Sequence, residues 1–402
     1  MLLINHLLKM IFRHRLLSLL LVLQMVLAIH LMAISIDIVA EHVVKVSRSS
    51  GIADSFYSIH MQPYHKHLDL NELVESDLGF IRSYPGVDFA SSSYALPMSD
   101  RVFSSFFYRF VVSEQGEKDI NAVRAYFFGV DTDGANALGL KIRAGRNFYP
   151  SELYGSEYQP NTQFAKAMIT QTLALELFSG ESALGRYFSG VDGPVFEVIA
   201  VLDDFIAEPQ SPYGKSAFLA PDTVVRKFRY YWLNVKSENA DMLVDKLREQ
   251  LVRRNDKRSV GEPVSISQQQ SRVYERDFEL IKLFSSVIVL LTVLCAFSSY
   301  AFAEMHVHKQ GASIALRYAM GASKKRLVRD GISELGLLLF LACLLSLLVY
   351  LVLRFSFEEF ISFSVLYLLS AACWVLAVFY FSVFPVVSRS IKRDFAQSLR
   401  WE

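Results

Sequence analysis

Four long apolar segments constrain this chain more than any other feature. They cover residues 16–36, 283–303, 332–353 and 360–383. Each is close to the length of about 20 residues that a helix needs to cross a hydrocarbon core about 30 Å thick. The 20% of residues that are charged lie mostly between these segments. The sequence therefore predicts an α-helical membrane protein with four transmembrane helices, one near the N-terminus and three near the C-terminus.

Lysine and arginine predict which side of the membrane each connecting segment faces. They cluster before the first span, between the second and third, and after the fourth; these residues are Lys9, Arg13, Arg15, Lys309, Arg317, Lys324, Lys325, Arg326, Arg329, Arg389, Lys392, Arg393 and Arg400. Basic loops stay in the cytoplasm. We therefore expect cytoplasmic termini, including a tail over 384–402, a cytoplasmic loop over 304–331, and residues 37–279 outside the membrane.

The first segment has the basic start of a secretory signal, within an N-terminal amphipathic stretch over residues 1–15. Its apolar run is longer than the 7–15 residues of a signal peptide, and no small-x-small cleavage site follows it. We interpret it as an uncleaved membrane anchor.

The outer region, residues 37–279, predicts a large mixed α/β domain. It contains no cysteine, so it needs a hydrophobic core rather than disulfides for stability. Apolar periodicity predicts two helices, and alternating or continuous apolar runs predict strands. The predicted elements are a helix over 70–84, strands over 125–130, 196–201 and 230–235, and a helix that Asn239 caps and whose apolar face is Leu243, Leu247 and Leu251. A polar stretch over 149–162 predicts a surface loop.

The sequence offers little catalytic chemistry. His60, His65 and His67 surround Pro63, but no cysteine and only Asp69 among the acids stands near them, so a solvated loop is favoured over a metal site. Two further histidines, at 306 and 308, lie in the basic loop and are expected at the surface. Hydrolase motifs and the phosphate-binding loop of nucleotide hydrolases are missing. We expect no enzyme activity, metal or cofactor in this chain.

The basic loop over 304–331 predicts two helices, 310–319 and 324–330, separated at Gly321. Around this break lies an apolar patch beside basic residues, made of Ala315, Leu316, Ala319 and Met320. An amphipathic helix of this kind either lies on lipid or docks into a groove of a partner, and the residues favour neither. Glu334, at the start of the third span, either snorkels and pairs near the interface or couples helices.

Around this loop the sequence resembles a known family. Residues 315–326 read A-L-R-Y-A-M-G-A-S-K-K-R, with Glu334 beyond them in an apolar run, and this is similar to the cytoplasmic motif of FtsX/MacB-type ABC transporter permeases. The outer domain has similar short motifs at 84–87, 144–148 and 196–201. Pro385 and residues 396–400 resemble the closing motif of the family.

The resemblance implies a permease with a porter-like part formed from both ends of the outer domain and an inserted, mostly β part over about 110–220. It implies that the loop couples the permease to an ABC ATPase dimer, which binds ATP and Mg. The ATPase-coupling residues would be Ala315, Leu316, Arg317, Met320, Gly321, Ala322 and Ser323, with Glu334 in interhelical coupling. Such systems transmit force across the bacterial inner membrane to a periplasmic domain without carrying substrate through a channel.

Two functions follow from the resemblance. The first is export or extraction of a peptide, an antibiotic or a lipoprotein, with a periplasmic adaptor and an outer-membrane channel as further partners. The alternative is an FtsX-like regulator of a periplasmic enzyme such as a cell-wall hydrolase. The sequence departs from the family pattern at residues 309–314, which lack the usual acid, and at Ala200 and Phe395. The second permease is therefore either another copy or a divergent partner.

Overall fold

The computed structural model describes residues 15–64, 69–99, 102–110, 122–153, 164–190, 194–221, 228–356 and 364–398. It divides into two compact units. We call residues 48–275 the inserted domain, and the helices on either side of it in sequence the helical unit. The N-terminal segment 1–14, two of the histidines near Pro63, most of the predicted loop 149–162 and the last four residues lie outside the described residues.

Four helices of the described chain are long and apolar enough to cross a membrane. They are α1 (Arg15–Val46), α7 (Glu275–Ala319), α8 (Lys324–Ser356) and α9 (Val365–Ser398). At 1.5 Å per residue, the 45 residues of α7 extend about 68 Å. This is more than twice the thickness of a hydrocarbon core. The helices therefore continue past the span limits that apolarity alone predicts.

Helices α1, α8 and α9 pack on one another through a continuous apolar core. Several positions in this core carry small side chains: Ala33, Ala342 and Ala371 are fully buried. Small side chains let helices approach closely in lipid, where packing replaces the hydrophobic effect as the main attraction. The outer faces of these helices are also apolar, as expected for surfaces in contact with lipid.

Helix α7 joins this core along a narrow seam whose residues recur every three or four positions. Cys295, Ser299, Ala303 and His306 form the seam and are buried. Two polar contacts add to it: Gln24 of α1 donates to the Ser298 hydroxyl at 2.6 Å, and the Trp374 indole of α9 donates to Thr292 at 3.1 Å. Hydrogen bonds between helices in a membrane contribute about 0.6–2 kcal/mol each.

The first part of the inserted domain is a four-stranded antiparallel sheet in the order β11-β1-β10-β2. Its strands are β1 (Phe56–Pro63), β2 (Val87–Ser93), β10 (Arg229–Val235) and β11 (Arg258–Ser265). Helices α2 (Leu70–Arg82) and α5 (Ala240–Arg254) supply the side chains that cover one face. Because side chains alternate along a strand, Tyr57, Ile59 and Met61 point into this core, whereas Ser58 and His60 point to the other face.

Both predicted helices of this part are present, with small differences at their ends. Helix α2 begins after Asp69, whose carboxylate accepts hydrogen bonds from the backbone of Asn71 and Glu72. Helix α5 begins after Asn239 as predicted, but the Asn239 side chain makes no capping hydrogen bond. Leu247 and Leu251 are fully buried in the core.

The second part is a barrel that closes on itself. Strands pair in the order β8-β6-β9-β4-β3-β7, and β7 pairs back with β8, while β5 adds to the free end of β8. The strands are β3 (Phe103–Phe110), β4 (Val123–Val130), β5 (Ile142–Gly145), β6 (Ala165–Thr170), β7 (Tyr187–Gly190), β8 (Val195–Leu202) and β9 (Ala217–Pro221). Short helices α3 (Gly134–Ala137) and α4 (Gln171–Phe178) lie between them in the chain.

Phenylalanine fills the barrel. Phe107, Phe188, Phe196 and Phe218 are buried, with ring centroids 5.0–6.5 Å apart. Edge-on and tilted pairs at these distances contribute about 0.5–1.5 kcal/mol beyond their buried area. Closure also leaves fewer exposed strand edges for unwanted pairing. The mixed α/β class predicted for this domain is confirmed.

A buried ion pair joins three elements of the four-stranded part. Arg258 of β11 donates two hydrogen bonds to the Asp77 carboxylate of α2, at 2.6 and 2.7 Å. Tyr231 of β10 donates to the same carboxylate at 2.6 Å. Burial and the neighbouring carboxylate raise the pKa of Tyr231, so this phenol stays protonated as a donor. Removing one member of such a cluster leaves a buried charge unpaired.

We predict that Asp77→Asn lowers the free energy of unfolding by about 3–5 kcal/mol, because the Arg258 guanidinium loses its counter-ion in the core. Urea unfolding of the full chain in detergent measures this, followed by fluorescence of the buried Trp232 after replacement of the other two tryptophans. Glu75→Gln, at an exposed position of the same helix, is the control. An equal effect of the two substitutions contradicts the prediction.

Candidate coupling site

The final segment of α7 extends well beyond its predicted span. Residues 304–319 continue the same helix for about 24 Å past the end of the apolar segment at residue 303. The helix predicted over 310–319 is therefore the end of α7 and not a separate amphipathic helix. The helix continues without interruption to Ala319.

His306 helps to hold this extension in place. Its ring is buried and stacks on Phe302, with centroids 6.2 Å apart and planes within 15°. Gln310, one turn further along, contacts its Nε2 atom at 2.9 Å. The expectation that His306 is a surface residue is wrong, because it falls on the buried seam of α7. His308, two positions on, is exposed as expected.

A four-residue turn, residues 320–323, ends α7. The Met320 amide donates to the Leu316 carbonyl at 3.0 Å, and the Ala322 amide donates to the Arg317 carbonyl at 3.1 Å. Gly321 has a φ of +94°. A glycine in this conformation with a bond from the next residue back to the last turn is the pattern of a Schellman cap. No atom lies within 4 Å of where a Gly321 Cβ would be, so backbone conformation alone favours glycine there.

Helix α8 begins directly after this turn. The Ser323 carbonyl accepts from the amides of Arg326 at 3.0 Å and Leu327 at 3.2 Å, as the residue preceding a helix does. Leu327 is buried in the core of the helical unit. Gly331 lies against α9, since a Cβ there would come within 3.2 Å of Val387. The turn is thus anchored on its α8 side by packing in the core of the helical unit.

The surface around the turn is apolar and basic. Leu316 is 63% exposed and Met320 is 72% exposed, and the two lie one turn apart on one side of α7. Ala319 is exposed beside them, and Lys325 and Arg326 are exposed at the start of α8. We call Leu316, Ala319 and Met320 the tip patch. Large apolar side chains gathered at a helix end are typical of a contact surface.

The structure brings together the residues that the sequence singled out. Arg317, Ala322 and Ser323 belong to the cap and turn, and Arg317 is half-buried. The backbone of Ala315 lies in the last turns of α7, and that of Glu334 in the third turn of α8; their side chains fall outside the described part of the chain. The role of Glu334 stays a prediction.

The opposite end of α7 carries a charged cluster that sequence reasoning missed. Asp277, with a side chain only 4% exposed, contacts His42 Nδ1 at 2.6 Å and Lys45 Nζ at 3.1 Å. Both partners lie on α1, so the three side chains tie α1 to α7; we call them the Asp277 clasp. Asp277 lies six residues before the second predicted span, and His42 and Lys45 lie after the first. Apolar segments alone therefore do not point to these three residues.

The helical unit combines one long helix with a clasp near one end and an exposed patch at the other. Among the residues that the structure describes, no group of three or more histidine, cysteine, aspartate or glutamate side chains could hold a metal.

A model of the MacB-like periplasmic core domain family matches residues 18–252. Comparison with curated proteins gives no match. Among solved structures, the extracellular domain of the noncanonic ABC-type transporter YknZ from Gram-positive bacteria is 16% identical, with a TM-score of 0.33 over 50% of this chain and 98% of that one. The periplasmic region of MacB from Actinobacillus actinomycetemcomitans is 14% identical, with a TM-score of 0.33 over 54% and 94%.

The assignment rests on the family model, which covers more than half of the chain, and on the motifs around the turn. The inserted domain is the MacB-like periplasmic domain, and the apolar helices place the protein in the inner membrane. The chain belongs to the MacB/FtsX-like family of ABC transporter permeases.

Proposed function

We propose that this permease couples ATP hydrolysis on a separate ATPase chain to movement of its periplasmic domain, and so drives export or extraction of a substrate such as a peptide, an antibiotic or a lipoprotein. The observation that carries the proposal is the uninterrupted course of α7. The helix begins where the inserted domain ends in sequence and finishes at an exposed apolar patch.

The proposal orients the chain with both termini and the turn 320–323 in the cytoplasm. The basic residues at both ends and around the turn support this orientation. If residues 283–303 lie in the hydrocarbon core, the tip patch stands about 24 Å from the end of that segment. A patch at that distance is placed to meet a soluble partner, and because its helix is continuous with the span it does not lie flat on lipid.

The partner that fits the tip patch is an ABC ATPase dimer, which binds ATP and Mg. Leu316 and Met320 offer apolar side chains to a groove, as in helix-in-groove recognition. The exposed basic residues around the turn favour an acidic rim on the ATPase. A second permease, either another copy or a divergent partner, completes the complex, and an adaptor and an outer-membrane channel join it in the transport case.

We predict that Arg317→Glu and Met320→Asp weaken association with the ATPase by about tenfold or more, equivalent to 1.4 kcal/mol. The first reverses a charge at the contact, and the second places a carboxylate in an apolar groove. Co-purification with the partner ATPase, and the rate of ATP hydrolysis by that ATPase in the complex, measure the effect.

The controls introduce the same two acidic residues, glutamate and aspartate, at earlier positions of the same helix. Lys309→Glu and His308→Asp alter exposed residues two or three turns before the patch. We expect normal association for both. If Arg317→Glu and Met320→Asp also associate normally, the turn is not the ATPase contact and the proposed function fails with it.

We predict that Asp277→Asn leaves ATPase association unchanged but reduces the stimulation of ATP hydrolysis by the assembled permease. Loss of the carboxylate charge weakens the clasp by about 1–3 kcal/mol, since His42 and Lys45 are partly exposed, so α7 is held less tightly to α1 at that end. Glu275→Gln, which removes an exposed charge two residues earlier, is the control. Unchanged stimulation in Asp277→Asn contradicts a lever role for α7.

Topology is tested by cysteine labelling in a variant without the native cysteines. Glu249→Cys lies on exposed α5 and Lys325→Cys on the exposed start of α8. We expect a membrane-impermeant maleimide to label the first in intact spheroplasts, and the second only after permeabilisation. The reverse pattern contradicts the orientation.

A further inference from the structure

The inserted domain contains a cleft of about 620 Å³ that the coupling machinery does not use. It lies on the face of the four-stranded sheet opposite α2 and α5. Ser58 and His60 of β1 and Tyr230 of β10 line it. Small-molecule sites commonly have volumes of about 300–1,000 Å³, so the cleft is large enough for a drug-sized ligand.

Packing of the same sheet face leaves this part open. Trp232 lies two positions after Tyr230 on β10, so both side chains point to the same face of the sheet. Trp232 is buried, and its ring centroid lies 6.2 Å from that of Phe56 and 5.8 Å from that of Phe128. Phe205 packs on Phe128 in turn. These aromatic side chains cover the sheet around Trp232, and the cover ends before His60. The cleft is thus the uncovered part of a face that is otherwise core.

A β-bulge shapes the rim of the cleft. Between the pairs Ile59–Pro263 and Met61–Val260, the single residue His60 stands opposite both Gly261 and Glu262. Bulges of this kind redirect side chains and are frequent beside functional sites. Arg248 of α5 holds the bulge by donating to the Gly261 carbonyl at 2.9 Å. Both Gly261 and Glu262 line the cleft.

The walls of the cleft are held by hydrogen bonds to a strained residue. Gln269 of α6 (Ile266–Val273) donates to the Met98 carbonyl at 2.7 Å, and the Met98 amide donates to Ala207 at 2.9 Å. Met98 is buried with a φ of +57°, a conformation that a non-glycine residue keeps only when its surroundings impose it. The bonds join α6 to the loops at 96–99 and 207–210, so the cleft is preformed.

The chemistry of the lining defines the ligand. Glu208 and Glu262 supply two carboxylates against one guanidinium, Arg272. Glu262 and Arg272 form no ion pair with each other or with any other residue that the structure describes. The rings of His60 and Tyr230 lie 4.9 Å apart, and the apolar lining is Leu96, Val264 and Val273.

We propose that this cleft binds an amphipathic amine, a molecule with a protonated amino group and an apolar body. The carboxylates attract the ammonium group, the aromatic rings favour a cation near their faces, and the aliphatic side chains cover the apolar body. Arg272 adds specificity, because it disfavours a second positive charge at its side of the cleft.

The amine site refines the proposed function. Its role in transport rests on that function, whereas binding itself does not. Gln269, Arg272 and Val273 belong to α6, and only Tyr274 separates α6 from α7 in the chain. A ligand in the cleft therefore contacts the segment that leads into the long helix. We assign to this site recognition of the transported molecule, with occupancy reported to the ATPase through α7.

The binding test uses dansylcadaverine, a fluorescent primary amine with an apolar ring system, and the full chain in detergent without the ATPase. We expect saturable binding that Glu262→Gln and Glu208→Gln each weaken about threefold to fivefold, the effect of losing one partly exposed ion pair. Glu75→Gln, which removes an exposed charge on α2, is the control and leaves binding unchanged. Fluorescence of Trp232 checks that each variant is folded.

Two related probes separate charge from partition into detergent. N-acetyl-dansylcadaverine keeps the apolar body but lacks the positive charge, and dansylglycine carries a carboxylate instead. We expect both to bind at least about threefold more weakly. Equal binding of the acetylated probe, tighter binding of dansylglycine, or unchanged affinity in both glutamate variants overturns the amine site.

The link to transport is tested separately in the assembled complex. We expect dansylcadaverine to change the rate of ATP hydrolysis, with a midpoint that shifts threefold to fivefold in Glu262→Gln. Charge-dependent binding without any change in ATP hydrolysis overturns the link to the ATPase and leaves the binding site established. If the wild-type chain does not associate with the ATPase, the proposed function is wrong. The binding test uses the chain without the ATPase, so its result stands separately.

Discussion

The backbone hydrogen bonds of α7 are the constraint on which the rest of this structure depends. In hydrocarbon every amide and carbonyl must find a partner within the protein, which a helix supplies along its own length. α7 keeps that pattern for 45 residues, well beyond the part that lipid requires. Sharp bends in helices occur at proline, glycine or inserted side chains; α7 contains no proline, and its one glycine, Gly311, lies between the apolar span and the tip patch. The left-handed Gly321 is where this continuity stops, and the reversal there sets where the tip patch is exposed.

Two polar side chains of the helical unit bind hydroxyls of α7 inside the apolar zone: Gln24 donates to Ser298, and the Trp374 indole donates to Thr292. Other polar atoms there carry a cost, because His30 Nε2 and Ser299 Oγ are buried without a hydrogen-bond partner among the described residues. Asp277 lies near the end of the helix with two basic partners. A carboxylate needs such partners once it is buried, because its desolvation costs several kcal/mol. The clasp therefore fixes the register of α1 against α7 as well as their contact.

Much of the fold could be predicted, because its causes are local in sequence. Apolar length predicts the helices, Gly321 predicts the break, and alternation predicts strands such as β8 and β10. Other features depend on partners far away in the chain. Asp77 meets Arg258 across 181 positions, His306 is buried because its helical phase faces the core, and barrel closure requires β7 to find β8. The pattern of residues in one sequence does not indicate which of these distant residues pair. His60 illustrates what sequence patterns do not reveal. The sequence favours a solvated loop there, yet His60 lies on β1 opposite a bulge that only the strand register shows.

The inserted domain is held together by charged and aromatic packing as well as aliphatic packing. The Asp77–Arg258 pair ties α2 to β11, and the phenylalanines of the barrel interlock across strands. Helix α6, of only eight residues, is the last element before α7, and Gln269 binds it to the strained Met98. Under the two proposals, a molecule in the cleft and a movement of α7 would therefore act on the same short helix, because α6 lines the cleft and precedes α7 in the chain.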